Sequence, residues 1–352
     1  MLPFEIQTFI FFLLFSFSIT HTCTTQQSTP YFSAINKAEL AICHSNNQAA
    51  LQHYEQAFQY DTQLFAKDLY NALLCAAQTS TFDMLDFCYQ NLLSKGISRS
   101  KLDTIRAFKI HKKQWQIITQ KYVDLAPSCD QTYRQELDQL LSLDQKIRKY
   151  CAQKAGYIYA PSCIDTIQFV DSLNLLHLKL LFQNKGIATE DKVGIQKILD
   201  NNPYDLLIRH HLAHYSETDI LDDLKRAVQE GDLHPVFYAF WKDNWLSTHH
   251  LETKFEREHF GTQNALVIAD SIYLFIDSEE DIINQRRAQL KMCSMNDFRI
   301  KLQFQLQHPE FLFIHGCLLP KIRADQAMIN QIITQAKNQN DQVLIISKNP
   351  KK

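Results

Sequence analysis

Glycine is nearly missing: the 352-residue chain has 7, about a third of ordinary usage. No GxGxxG, P-loop or GxSxG pattern is present. Folds that use glycine to bring backbone amides up to a phosphate or an oxyanion are therefore not expected. An excess of one charge is also missing, because 36 Lys and Arg face 38 Asp and Glu for a net charge of -2. No global field recruits a polyanion, so nucleic acid is not an expected partner. No CxxC pair occurs, and no cysteine has the local cationic or helix-start setting that activates a thiol. What is present is 45% hydrophobic and 21% charged residues, enough to bury a core of two or three domains.

Phe9 to Ile19 is apolar except for Ser16 and Ser18, too short to span a bilayer but the length of a signal-peptide core. Residues 1–22 are accordingly read as a signal peptide and the protein as exported to the periplasm or outer envelope. The preceding Met1 to Thr8 carries Glu5 and no Lys or Arg, which leaves a buried N-terminal helix as the alternative. Cys23 follows Thr20-His21-Thr22 and is a candidate for lipidation, against a freely secreted form. The other eight of the 9 cysteines permit disulfides in an oxidising compartment, but they sit in apolar helical patterns where free buried thiols are also at home. Spacing does not choose between these.

From Ala34 to Leu125 the apolar periodicity is helical, broken at Ser45-Asn46-Asn47, Thr79-Ser80 and Lys112-Lys113. A shift of about 34 residues superposes Leu40 on Leu74 and Phe108, and Leu51 on Leu85, the period of tetratricopeptide-like helical hairpins. Residues 23–128 are read as such an array, whose stacked hairpins leave a surface for a peptide or protein. Ala126-Pro127-Ser128 marks a boundary, and residues 129–300 form a second helical domain. Its expected helices run from Gln131 to Cys151, Asp165 to Asn184, Tyr204 to His214, Glu217 to Glu230 and Pro235 to Phe255. Leu266 to Ile276 alternates around Ala269-Asp270-Ser271 as a short hairpin. Phe298, Ile300, Leu302, Phe304 and Leu306 alternate with Arg299, Lys301, Gln303, Gln305 and Gln307, which predicts a one-sided strand. A helix over Ala324 to Lys337 and a strand over Val343 to Ile346 complete a small α/β extension, residues 301–352. The expected class is mainly α.

The central residues, in order, resemble an uncharacterised bacterial family, domain of unknown function 6624. Asp144-Gln145 with Arg148, then Asp171 and Asn174, Gly186, Val193-Gly194, Leu206-Leu207-Ile208-Arg209-His210, Ala227-Val228, Gly231, Asp243, Phe260-Gly261-Thr262-Gln263, Asp281 and Arg286-Arg287 carry the likeness over about Arg134 to Phe298. The chain departs from that pattern at Ile187-Ala188, Arg209 and Asn244, where the family has Trp-Pro, Gln and Arg. The resemblance implies a domain and a polar residue set, and no activity.

Within that set, His210, Asp243, Gln263 and Arg287 are the candidate catalytic residues: a histidine base, an orienting acid and an arginine for an anionic group. Asp144, Arg148, Asp171, Asn174, Thr262 and Arg286 are candidate binding residues. The competing reading is structural, since Asp144 and Arg148 stand at i,i+4 and arginine–aspartate networks also hold helices together. His210 and His214 share a helical face, but the glutamate of a zincin motif is replaced by His211, so no metal or other cofactor is expected. Phe237, Tyr238, Phe240, Trp241 and Trp245 are read as an interhelical seam. The reading that follows is an exported, non-catalytic module that binds a protein or peptide partner, with an envelope hydrolase centred on His210 and Asp243 as the alternative; whether the chain is an enzyme stays open.

Overall fold

The computed structural model describes residues 29–60, 63–105, 111–155, 161–195, 198, 204–214, 219–249, 260–262, 265–268, 271–276, 279–314, 321–322, 327, 329–331, 333–334 and 342–347. The apolar leader, Cys23 and Gln263 lie outside this set, as does most of the expected helix over Ala324 to Lys337. The protein is mainly α, as its periodicities predict. Among the described residues no helix is long and apolar enough to cross a membrane.

The N-terminal part begins with α1 (Thr29–Cys43) and α2 (Asn47–Phe58), then α3 (Ala66–Thr79) and α4 (Phe82–Ser94). Two of the three predicted polar breaks fall at helix ends, while Lys112-Lys113 opens a helix over Lys112–Lys121 and does not interrupt one. Asn46 caps α2 by accepting the Ala49 N–H at 3.1 Å, and Ser80 ends α3 in a left-handed conformation. Helix α3 is the axis of this region, with Leu69, Ala72, Leu73, Leu74, Ala76 and Ala77 all buried. Short α5 (Arg99–Leu102) and α6 (Lys112–Lys121) follow.

Two long helices, α7 (Gln131–Ala155) and α8 (Pro161–Lys185), run antiparallel. A Cys151–Cys163 disulfide joins them at one end, and the Tyr133 hydroxyl donates to Gly186 O at 2.8 Å at the other. Asp130 accepts the Tyr133 N–H and caps α7. After α9 (Glu190–Val193), Gly194 holds φ +67° where an added Cβ would meet Cys129 Sγ at 2.8 Å and Lys95 O at 3.0 Å; the close approach lets Ile195 N–H bond Lys95 O. Then come α10 (Asp205–His214), α11 (Asp219–Glu230) and α12 (Pro235–Thr248). The aromatic seam is confirmed: Trp241 is fully buried, tilted against Tyr204 and stacked on Phe237.

The predicted hairpin is β1 (Ala265–Ile268) and β2 (Ser271–Ile276), antiparallel with Ala265 opposite Leu274. Helices α13 (Glu280–Gln289) and α14 (Met295–Gln307) follow, then β3 (Lys321–Ile322) and β4 (Gln342–Ser347). The strands form one sheet in the order β3-β1-β2-β4, with β4 antiparallel to β2 and β3 parallel to β1.

The one-sided strand expected over Phe298 to Leu306 is instead helix α14. Ser294 caps it by accepting the Asp297 N–H at 3.1 Å. The alternation misleads because Lys301 points inward. Met295, Phe298, Lys301 and Leu302 are the buried residues, and their spacing is that of one helical face.

Lys301 is buried because of Glu39 on α1. That carboxylate accepts from Lys67 through one oxygen and from Lys301 through the other, while Lys67 also meets Asp68 and Asp68 accepts from the Tyr31 hydroxyl. All of these side chains are buried. Burial pushes the Glu39 carboxyl up, but Lys301 and Lys67 outweigh it and hold Glu39 below the ordinary value. Asn36 donates to Asp297, and the Asn71 side chain both donates to Leu312 O and accepts from Leu312 N–H. The C-terminal segment is thus bonded to α1 and α3, and one continuous apolar core runs from Tyr31 to Ile314.

Glu39→Gln would leave two buried lysines without their shared carboxylate, so unfolding in denaturant should show a loss of about 3–5 kcal/mol. The Glu39 contribution is present above its unfolded pKa and disappears as pH falls through the lower folded value. A wild-type minus Glu39→Gln stability difference that failed to shrink on acidification below about pH 4 would contradict this account.

Candidate functional site

The residues of the α7–α8 pair and α10 build the densest polar cluster. On α7, Asp144 and Arg148 lie one turn apart on the buried face. Arg148 Nη1 donates to Asp144 Oδ1 at 2.6 Å, and its Nη2 donates to both Asp171 oxygens at 2.9 Å from across the helix pair. Gln145 Nε2 donates to the other Asp144 oxygen at 2.6 Å. From α10, His210 Nδ1 meets Asp144 Oδ1 at 3.0 Å. Asp144, Arg148, Asp171 and Asn174 are buried and His210 is half-buried. Burial raises the Asp171 carboxyl above its ordinary pKa, opposed by Arg148.

Asn174 stands one turn from Asp171 on α8, 1% exposed, and among the described residues neither its amide nitrogen nor its oxygen has a hydrogen-bond partner; nor does Arg148 Nε. Asp144, Asp171 and His210 bring ligand-type atoms within 4.8 Å of one another, a spacing a cation would need. One guanidinium, that of Arg148, already binds both carboxylates. The arrangement is an ion-pair network across three helices, with a half-buried histidine at its edge.

Asp243 and Arg287 belong to a second arrangement. Asp243 on α12 accepts the Phe260 N–H at 2.7 Å, the Thr262 N–H at 2.8 Å and the Thr262 hydroxyl at 2.6 Å. Arg287 on α13 donates to Phe260 O at 2.9 Å and to Cys293 O at 2.6 Å. Together they clamp Phe260-Gly261-Thr262 from both sides. Arg286 is half-buried on the same helix. The sequence-predicted set thus divides: Asp144, Arg148, Asp171 and His210 are bonded together, Asn174 adjoins Asp171, and Asp243, Thr262 and Arg287 hold a loop. The acid that His210 meets is Asp144, in place of the expected Asp243.

Two features had no sequence signal. Asp205 on α10 accepts from Trp241 Nε1 at 2.7 Å and pairs with Arg209 at 2.9 Å, its carboxyl raised by burial. A cavity of about 70 Å³ opens where α1, α3 and the α13–α14 region meet, with Phe32, Glu39, Lys67, Arg287, Phe298 and Lys301 in its wall. Its charged members are separated in sequence by up to 262 residues, beyond any local motif.

No protein-family model matches the chain, and neither a curated protein nor a solved structure does.

Removing Arg148 strands two buried carboxylates. Arg148→Met should therefore lower the free energy of unfolding by about 3–5 kcal/mol, and adding Asp171→Leu should recover a substantial part. Equal destabilisation of the single and double variants in urea titrations would show that the arginine–aspartate pairing is not what matters.

Proposed function

We propose that the chain is a non-catalytic protein-binding module of the cell envelope that takes a helical segment of its partner on the outer face of α8. The observation that carries this reading is the row Phe169, Leu173, Leu176 and Leu180, which are 63%, 36%, 54% and 45% exposed. Their spacing of four, three and four residues is that of a coiled-coil seam. The buried residues of α8, such as Ile167, Asp171, Asn174 and Leu178, lie on the opposite side of the helix. An apolar row that the fold leaves in water marks an interaction surface.

The N-terminal helices, where the repeat-like pattern first suggested a partner surface, have α1 and α3 bonded to the chain's own residues 297–312. That favours α8 as the docking element. Export is supported by the Cys151–Cys163 disulfide, since such bonds persist in oxidising compartments. A hydrolase remains a second reading, favoured by the half-buried His210 oriented by a buried carboxylate as a general base would be.

Two experiments test this. A photo-crosslinking residue at Leu176 in the full chain should give a protein adduct that disappears when Leu173→Glu is added and that survives His210→Ala. Equal labelling from a crosslinker at exposed Ser100, or none at Leu176, would remove the reading. For the anchor, Cys23→Ser should move the protein from the membrane fraction to the soluble one, and an unchanged distribution would refute lipidation.

A further inference from the structure

We infer that the cavity where α1, α12, α13 and α14 meet is a binding site for a short aliphatic carboxylate of roughly two to four carbons, with its anionic end on Arg287 and its chain against the apolar wall.

Arg287 carries a charge that nothing described neutralises. It is 3% exposed, and among the described residues no carboxylate pairs with it. Its Nε and Nη1 donate to Cys293 O and Phe260 O, its Nη2 to Cys293 Sγ at 3.7 Å, and its guanidinium lies 5.9 Å from the centroid of the Phe298 ring. Carbonyls, a thiol and a ring supply dipoles and no negative charge, whereas a cation so deeply buried is ordinarily matched by an anion. A guanidinium has five N–H groups; with one engaged on each nitrogen, one remains on each of Nη1 and Nη2 for a carboxylate to accept.

The other ions in the wall leave that charge standing. Glu39 accepts from Lys67 and Lys301, and Lys67 also meets Asp68, so two lysines face two carboxylates. Lys291, exposed in the cavity wall, adds a further cation that no described carboxylate pairs. It holds φ +60° just past α13, and the turn brings Met292 N–H onto Arg287 O and Cys293 O onto the guanidinium.

The space beside these cations suits a small amphipathic anion. The cavity of about 70 Å³ is partly open and mostly apolar, with Phe32, Ile35, Val236, Phe298, Phe313 and Ile314 all buried around it. A water needs roughly 10–15 Å³ of such space, so the cavity holds on the order of five waters or a molecule of about four to six non-hydrogen atoms. Phosphate or sulfate has that size but would set oxygens against the apolar wall and forgo its burial. A short fatty acid satisfies guanidinium and wall together. The site shares no residue with the α8 surface, so the two readings stand or fall separately.

Isothermal titration calorimetry of the full chain in low-chloride buffer should give a Kd for propionate of about 0.1–1 mM, the range open to so few atoms. Affinity should rise about fourfold per methylene from acetate to butyrate. Propionamide, which has the shape without the charge, should bind at least about tenfold more weakly. Propionate should slow alkylation of Cys293 by iodoacetamide, read by peptide mass mapping, and leave half-buried Cys129, outside the cavity, unaffected. Lys291→Gln should weaken propionate about two- to threefold at low salt with an unchanged melting temperature. Arg287→Gln should abolish binding; its melting temperature shows whether the fold survives, and if it does not, the comparison of propionate with propionamide in the wild type decides. No propionate binding up to about 10 mM, propionamide binding as well as propionate, or Cys293 alkylation indifferent to propionate overturns the inference. Chloride or phosphate displacing propionate at equal concentration would show an adventitious ion only, and overturns it as well.

Discussion

A single carboxylate, Glu39, is the hinge of the architecture. It sits on the first described helix and holds one lysine from the third helix and another from the fourteenth. Ions removed from water here are tolerable only in one mutual placement, because Lys301 meets one Glu39 oxygen while Lys67 meets the other and Asp68. The placement of α14 against α1 is therefore set by charge geometry as well as by apolar contact. The Asn71 side chain repeats the constraint in neutral form, bonding both the N–H and the C=O of Leu312 as a neighbouring strand would.

The other buried ions follow the same logic at smaller range. Arg148 answers two carboxylates, Asp243 gathers two N–H groups and a hydroxyl, and Arg287 takes two carbonyls. Each fixes the approach of two or three elements. Chemistry-bearing residue types here serve first to position backbone. Asn174, whose amide is unsatisfied among the described residues beside Asp171, is not explained by that role.

Several helix boundaries were legible because local physics sets them: Asn46, Ser80, Asp130 and Gly186 stop or cap helices whatever surrounds them. The β1–β2 hairpin was legible for the same reason. What misled was Lys301. A lysine among alternating hydrophobics reads as a water-facing position of a strand, and only Glu39, 262 residues away, turns it inward and makes the spacing helical. The polar set was half legible. Asp144, Arg148 and His210 do meet, but the sequence offers no measure of which carboxylate lies nearest an imidazole, and Asp243 is diverted by a loop that follows it. The disulfide could not be chosen from spacing, since Cys151 and Cys163 are distinguished only by where two antiparallel helices begin and end.

The bond between Glu39 and Lys301 also has a temporal side. A chain made or threaded from its N-terminus presents α1 and α3 long before α14 exists, so Glu39 and Lys67 must wait half-solvated while more than two hundred residues emerge. Non-local closure of this kind slows folding and prolongs the life of incomplete cores. The first helices can pair early, but the hydrophobic wall they offer to α14 stays open until the last quarter of the protein arrives, and during that interval holding factors have their natural target.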